Sequence, residues 1–531
     1  MPTHSWTAPR RASRLACYAA SAAFALGVAL RVLAFLQREA FWSDEAALGL
    51  NILACDFAKL GRPFLHAQVA PYLFMAGQKL ISLTVGGGEP QLRAWSLLAG
   101  IALLPALHHV TLRVADRSTA LVVLALAATT PLLVYYSTEL KPYGSDALVS
   151  TLLLWSTLRV LSTRERPLAG RAFWQLAAAG AVAPWLSLPA VFVLAGCGIA
   201  LCAQLLAERA RLRDLSIVAA VGCGWLLSFV VHYLYFLHQS PDDASYMQRY
   251  WADEDGFAPH AELSGAAVAS LHWYAAKFCY LFAALVLAVG HGQRYIAAGL
   301  WLLGLWQVWR TQRAQLWLFV VPVFGMFAAA TLHAYAIADR LALFLLPVLL
   351  IPCGIGVSRL VRWRTPSAPA GLLAVLALVS VEHLHEVYSQ LTQPRSHSDI
   401  RSLVAYLRER VAPEDRVLVE TRVAWVYEYY AYRYGIHERP LVVDAAGSEP
   451  SLLQDSLLPP TGTGRVWAVV PALGPRSRTE LGAAAHATVA LAERRVVDAL
   501  AHLGPQLEVY DGSNVRLYLY DPVRARQANA P

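Results

Sequence analysis

Two adjacent carboxylates, Asp44 and Glu45, lie in the segment Arg38-Glu39-Ala40-Phe41-Trp42-Ser43-Asp44-Glu45, directly after an apolar run from Leu15 to Leu36 that is long enough to cross a bilayer. A carboxylate placed just outside a membrane can accept the proton of a hydroxyl nucleophile. Cations recur in later segments that fall on the same side: Lys79, Lys141 and Arg340. Ammonium and guanidinium groups suit a phosphate, which they can hold as a leaving group. Together these groups could serve transfer chemistry at a membrane surface. A plainer role also exists for the acids, because Ser43 can cap a helix and carboxylates in a first turn favour the macrodipole by about 0.3–1 kcal/mol.

The elements that would position these groups follow from composition. Of 531 residues 57% are hydrophobic and only 15% charged, with a mean hydropathy of +0.44. A soluble chain carries about 25% charged residues, so this one reads as an α-helical polytopic membrane protein. The leading run follows Arg10, Arg11 and Arg14; it is too long for a signal peptide, no small-residue cleavage site closes it, and it is expected to be a retained first span. Basic clusters at Arg113/Arg117, Arg159/Arg164/Arg166/Arg171, Arg209/Arg211/Arg213, Arg310/Arg313 and Arg359/Arg362/Arg364 all fall on one side if spans lie near 15–36, 91–112, 118–137, 143–161, 172–188, 189–207, 215–237, 293–309, 315–335, 341–358 and 368–388. That gives about eleven crossings, a cytoplasmic tail at 1–14 and an extracytoplasmic C-terminus, the N-terminus being inside by the positive-inside rule. Residues 264–290 are apolar enough for a further span or an interfacial helix. The formal charge of +8 is mostly these cytoplasmic arginines and implies no nucleic acid.

Three regions lie outside in this arrangement: 37–90 and 238–292 as loops of a membrane domain at 15–388, and an extracytoplasmic α/β domain at 389–531. In the first, Trp42, Ala46, Leu50, Leu53, Phe57 and Leu60 share one helical face, with Asp44, Asn51 and Cys55 pointing away from it, as in a helix lying on a membrane. A second juxtamembrane helix is expected from Pro71 to Thr84, stopped by Gly86-Gly87-Gly88. From Ser389 charges rise and apolar runs shorten. The periodicity predicts a helix over 398–411, a strand over 416–420, a helix over 421–434, strands at 440–444 and 465–470, a helix near 478–502 and a hairpin near 506–521. This domain has no Gly-rich phosphate loop, and it could either bind acceptor or stabilise the outer loops. The seven cysteines lack metal spacing, and His383 and His385, two apart on a helix, do not converge on a metal. No cofactor is called for; Asp253-Glu254-Asp255 reads as a solvated acidic run, and a divalent cation there lacks support. Arg31, late in the first span, is expected to snorkel outward or pair with an acid.

The order of these pieces resembles the GT-C superfamily of integral-membrane glycosyltransferases. It is most similar to the family of protein O-mannosyltransferases and the lipid A aminoarabinose transferase, in the bacterial branch typified by lipopolysaccharide-core galacturonosyltransferases. The matching pieces are Leu30-Arg31, Phe41-Trp42-Ser43-Asp44-Glu45-Ala46, Gln68-Val69-Ala70-Pro71-Tyr72-Leu73, Leu92-Arg93 and Tyr135-Tyr136-Ser137-Thr138-Glu139-Leu140-Lys141-Pro142-Tyr143, over roughly residues 15–390. The chain departs from the family at Ala70-Pro71, where Pro-Pro is common, and at Leu341, where an aromatic often follows the arginine. The first difference touches the acceptor-side groove and the second the donor contacts.

The resemblance implies an inner-membrane enzyme that moves a monosaccharide from a polyprenyl-phosphate donor to a glycolipid, polysaccharide or protein hydroxyl on the extracytoplasmic side, inverting the anomeric centre. Asp44 is then the first choice for the base, with Glu45 structural or its partner. Glu139 would orient acceptor or sugar, against a plain reading as a loop acid. Lys141, Arg340 and Lys79 would face the donor phosphate, against snorkelling for Lys141 and a surface Asp339–Arg340 pair. His66, Gln68, Tyr136 and Tyr143 would line the substrate path, although Tyr135, Tyr136 and Tyr143 also suit an aromatic belt. A transporter or flippase, or a non-catalytic subunit of an envelope-glycan assembly, are the competing classes. Transporters place ionisable residues near the midplane in matched repeats, whereas here the charges sit at outer span ends.

Overall fold

The computed structural model describes residues 10–37, 39–61, 64, 66, 68–163, 168, 170–237, 241–259, 266–285, 293–364, 381–392, 400–436, 440–445, 464–473, 483–503, 506–512 and 514–521. In chain order the helices are α1 (Arg10–Leu36), α2 (Ser43–Ala54), α3 (Tyr72–Thr84), α4 (Glu89–Val114), α5 (Arg117–Thr129), α6 (Pro131–Tyr135), α7 (Tyr143–Leu161), α8 (Arg171–Leu186), α9 (Ala190–Ala207), α10 (Leu212–Phe236), α11 (Pro241–Asp253), α12 (Ala266–Leu285), α13 (Gln293–Thr311), α14 (Arg313–Thr331), α15 (Leu346–Arg364) and α16 (381–392). They are followed by α17 (Ile400–Arg408), β1 (Arg416–Glu420), α18 (Thr421–Tyr434), β2 (Leu441–Val443), β3 (Val466–Pro471), α19 (Ala483–Leu500), β4 (Gln506–Asp511) and β5 (Val515–Tyr520). The chain divides into two compact units, one comprising Met1–Gln37 and Asp56–Gln393, the other Arg38–Cys55 and Pro394–Pro531.

The first unit is a helical membrane bundle. Among the described residues six helical stretches are long and apolar enough to cross a bilayer, namely Ala16–Leu36, Glu89–Val114, Ala190–Ala207, Leu212–Phe236, Arg313–Thr331 and Leu343–Val361. Leu343–Val361 is nearly all buried, so it runs through the middle, whereas Ala16–Leu36 and Leu212–Phe236 expose most of their apolar surface, as lipid-facing helices do. Most of the remaining expected spans are also helical but shorter or less apolar, and the one near 368–388 lies partly outside the described residues. Helix ends follow local chemistry. Gly88 and Pro90 open α4, and the Asp116 carboxylate caps α5 by accepting from the Thr119 N–H at 2.9 Å. The expected span 118–137 is not continuous: Pro131 cannot donate to the helix ladder, so α5 stops at Thr129 and a short α6 follows. Residues 266–285 form a single 20-residue helix.

The second unit holds a five-stranded sheet in the order β2-β1-β3-β5-β4. β1 runs parallel to β2 and β3, while β3–β5 and β5–β4 are antiparallel. β1 and β3 are central and read as apolar runs, and α19 packs Ala492, Val496 and Leu500 against Leu418, Val466, Ala468 and Val470. Asp415 clamps the start of the sheet. Its carboxylate accepts from Arg465 Nε (3.1 Å) and Nη2 (2.7 Å), Trp467 Nε1 (2.9 Å) and the Ala412 N–H (2.9 Å). The strands and α18 fall within a residue or two of their sequence expectation, because each is bounded by a polar turn.

Candidate functional site

In the membrane unit the expected residues gather around the segment between α6 and α7. Lys141 N–H bonds the Glu139 carbonyl at 2.8 Å, a three-residue turn whose centre, Leu140, is fully buried. Burying that leucine contributes about 1.5–3 kcal/mol and fixes Glu139 and Lys141 on either side of it. Pro142 follows and starts α7. Both charged residues are buried, Glu139 4% and Lys141 6% exposed. The Lys141 ammonium donates to Gln68 Oε1 at 2.9 Å, and Gln68 Nε2 donates to the His66 carbonyl at 3.3 Å. His66 has φ 63°, a left-handed conformation that a non-glycine residue adopts at a cost. Sequence reasoning assigned Lys141 to donor and Gln68 and His66 to acceptor; the structure joins all three in one chain of contacts.

α4 is the platform beneath this segment. Ser96 Oγ donates to the Lys141 carbonyl (3.2 Å) and Trp95 Nε1 to Ser145 Oγ (2.9 Å). Gly100 permits the approach: a Cβ there would stand 2.1 Å from Ser137 Oγ and 3.5 Å from Arg31 Nε. Arg31 neither snorkels nor pairs with an acid. It is fully buried, and its guanidinium donates to the carbonyls of Gly27 (3.0 Å), Ala128 (3.1 Å) and Ala127 (3.0 Å). It thereby satisfies the end of α5 that Pro131 leaves open.

Tyr135, Tyr136 and Tyr143 form an edge-to-face ladder with centroids 5.0 and 5.2 Å apart. Tyr136 is buried, unlike a lipid-facing belt residue, and lies within Coulombic range of Glu139, Asp339 and Arg340. The late turn carrying Arg340 is thus close to the 136–143 segment. Its guanidinium stacks over Trp251 (5.0 Å to the ring centroid) and reaches the Tyr250 hydroxyl at 3.4 Å. Asp339 accepts from the Arg340 backbone N–H at 2.6 Å, so it holds the main chain of this turn. The turn is tied to the stretch after α11 by Ile337 N–H to Gly256 O (2.8 Å) and by Phe257 stacking on His333. Asp255 is not merely solvated: it pairs with Lys277 at 3.1 Å and accepts from Trp273 Nε1 at 3.0 Å. Lys79 is buried on α3, whose observed span Tyr72–Thr84 matches expectation.

Asp44 and Glu45 belong to the second unit. The N-cap of α2 is Trp42, in extended conformation; Ser43 is the first helical residue, and both acids fall in the first turn, where the macrodipole favours them. Asp44 is half-buried and Glu45 fully buried. The expected amphipathic face, with Asn51 turned to solvent, is not observed. Residues 45 to 52 are all buried, and Asn51 donates back to the Ala47 carbonyl at 2.8 Å. The helix also ends at Ala54 instead of running to Leu60, since the Asp56 carboxylate accepts from the Lys59 N–H and opens a separate turn. The reason for the burial is a partner supplied from far along the chain. α2 packs on α18, Phe41 lies against Tyr429 (centroids 5.0 Å), and the Phe41 N–H donates to the Tyr430 hydroxyl at 2.9 Å.

Three buried polar residues were missed by sequence reasoning. His232 on α10 accepts from the Tyr72 N–H at 3.1 Å and so sets the start of α3. Asp146, in the first turn of α7, is buried close to Ser187 and Tyr335. Gln78 on α3 is fully buried. The signal was present in each case, as an ionisable or amide side chain in an apolar stretch. His383 is buried 3.2 Å from Thr129 Oγ1 while His385 is exposed, so the two histidines face opposite ways. Among the described residues no three His, Cys, Asp or Glu side chains gather as a metal site would require.

No protein-family model and no curated protein matches the chain. Solved structures do. ArnT from Cupriavidus metallidurans bound to undecaprenyl phosphate matches with TM-score 0.55 and 14% identity over 94% of this chain and 97% of that one. The chain shares the fold of this structure. A second neighbour, the Archaeoglobus fulgidus oligosaccharyltransferase in complex with Zn and sulfate, matches with TM-score 0.55 and 14% identity over 94% of this chain and 72% of that one. The oligosaccharyltransferase AglB of the same organism, with an inhibitory peptide and a dolichol-phosphate, gives TM-score 0.53 and 13% identity over 99% and 75%. The shared fold and the long apolar helices make this a multi-pass membrane protein with a small C-terminal sheet region.

Proposed function

We propose that the chain is a membrane glycosyltransferase that moves a monosaccharide from a polyprenyl-phosphate donor to a hydroxyl of a glycolipid, polysaccharide or protein acceptor on the extracytoplasmic side of a bacterial-type inner membrane. The observation that carries this reading is the cluster of Lys141, Gln68, Tyr136, Glu139 and Arg340 in a GT-C fold. Similarity to an ArnT structure bound to undecaprenyl phosphate supports a lipid phosphate as the anion that Lys141 and Arg340 meet. Lys79 is proposed as a further cation for that phosphate.

The reaction is a single displacement. The acceptor oxygen forms a bond to the anomeric carbon, the bond from that carbon to the phosphate oxygen breaks, and its electron pair leaves with the polyprenyl phosphate. The acceptor's proton passes to a carboxylate, for which Asp44 is proposed, with Glu45 supporting it from the same turn. Attack opposite the leaving group inverts the centre. The guanidinium of Arg340 and the ammonium of Lys141 stabilise charge developing on the phosphate, each worth about 1.5–3 kcal/mol as a charged hydrogen bond. Glu139, Tyr136 and Tyr143 are assigned to orienting the sugar or acceptor, and Gln68 with His66 to holding Lys141.

The test is sugar transfer from a panel of radiolabelled polyprenyl-phosphate sugars, in membranes carrying wild type or Asp44→Asn at matched protein level. Product formation by wild type and a loss of at least a hundredfold in the variant are expected, since general base catalysis contributes about 10²–10⁴-fold. Equal activity in both would remove Asp44 from the role. Absence of transfer with every donor and acceptor class tried would overturn the transferase.

A further inference from the structure

We infer that the C-terminal α/β unit is a positioning element for the carboxylate helix, acting through Tyr430 and a close contact of Gly49 with Tyr429. This inference rests on the proposed transferase and adds a function for residues 400–521 that neither the fold nor its neighbours assign.

The grouping of α2 and two specific contacts carry it. α2 is grouped with the C-terminal sheet unit, although Gln37 before it and Asp56 after it belong to the bundle. The Tyr430 hydroxyl accepts from the backbone N–H of Phe41, the residue just before the cap of α2, at 2.9 Å. Phe41 is fully buried, so that N–H depends on a protein acceptor. About two turns further along, a Cβ on Gly49 would lie 2.8 Å from Tyr429 Cε2 and 3.2 Å from Phe41 Cε2, so only glycine lets α2 seat at its observed depth. Tyr430 itself is held between Tyr429 (5.0 Å) and Tyr434 (6.1 Å), and α18 is anchored to the sheet at Glu420, whose carboxylate caps it through the Arg422 N–H at 2.8 Å. The path from sheet to α18 to Phe41 therefore ends three residues before Asp44. A proton acceptor misplaced by about an ångström can lose two orders of magnitude in rate.

The experiment uses the full-length protein in lipid nanodiscs with Gly49→Ala, Tyr430→Phe and the double variant Gly49→Ala/Tyr429→Leu. Hydrogen exchange at residues 41–50 and transfer kinetics are both read. Each single variant is expected to raise exchange at 41–50 at least tenfold, leave exchange at 143–161 unchanged, and lower kcat at least tenfold with donor KM within twofold. The double variant removes the ring that the new Cβ meets and should restore kcat to within threefold of wild type. Unchanged exchange in both single variants, or faster exchange with unchanged kcat, overturns the inference. A wild type that transfers no sugar is instead a failure of the proposed function, and the exchange data then decide by themselves whether α18 holds α2.

Discussion

The Lys141–Gln68 pair permits the most quantitative test of the phosphate site. In Lys141→Met the stem and most of the packing are retained, but the ammonium that donates to Gln68 Oε1 at 2.9 Å is lost. If that ammonium meets the donor phosphate in the transition state, the lost charged hydrogen bond is worth about 1.5–3 kcal/mol, or roughly a 10- to 150-fold fall in kcat/KM. Gln68→Leu removes only the neutral partner that orients the ammonium, so about 0.5–1.5 kcal/mol and a fall of roughly 2- to 12-fold are expected. Because one group acts through the other, the double variant should lose no more than Lys141→Met alone, a coupling of at least about 0.5 kcal/mol. The assay is initial transfer rate across a donor concentration series in nanodiscs. A Lys141→Met variant within threefold of wild type, or losses that simply add in the double variant, would refute a phosphate-binding Lys141 held by Gln68.

Arg31→Leu should lower the thermal unfolding midpoint of the detergent-solubilised protein by several degrees, since it strips the Gly27, Ala127 and Ala128 carbonyls of a charged donor at a buried helix end, a loss of about 2–4 kcal/mol; an unchanged midpoint would contradict the capping role. Gly100→Ala places a Cβ 2.1 Å from Ser137 Oγ and is expected to cost about 1–3 kcal/mol and most of the transfer activity, with partial recovery in Gly100→Ala/Ser137→Gly measured by the same melt and assay. In the sheet unit, burial opposes ionisation of Asp415, but Arg465, the Ala412 N–H and Trp467 outweigh it and hold the carboxyl below its ordinary 3.8. A lowered carboxyl contributes stability that is present above the ordinary value and lost as pH falls through the folded one. Protection of β1 and β3 amides, corrected for intrinsic exchange, should therefore decline below about pH 4 in wild type and show no such step in Asp415→Asn.

Most of the helical frame was legible because basic clusters, prolines and glycines punctuate the apolar runs; Tyr143–Leu161 and Tyr72–Thr84 emerge almost residue for residue. What sequence could not supply was the second side of each element. The periodicity of α2 predicts a membrane-surface helix, yet residues 45 to 52 are buried and the helix packs on α18, and no pattern within residues 42–60 encodes a partner at 421–434. The same holds for Arg31, whose carbonyl partners sit at 127 and 128. In the candidate site the segment 135–143 was found from its residue types, and Gln68 and His66 from their loop. Their junction at Lys141 depends on α4 carrying glycine at 100, which hydropathy does not distinguish from any other apolar position. Asp146 and His232 carry a signal of their own, an ionisable side chain inside a span, but nothing next to them in the chain encodes their partners at Ser187 and Tyr72.

The hydrogen bond between Phe41 and Tyr430 joins positions 389 residues apart. During synthesis at about 5–20 residues per second, α2 emerges on the order of 20–80 s before the helix that covers it. Throughout that interval the bundle is being made while α2 lacks its partner. A helix made much later thus covers the segment that follows α1, and any chain that stops short of α18 carries its acidic helix unseated. Seating of the carboxylate segment is in this way coupled to synthesis of the chain through α18.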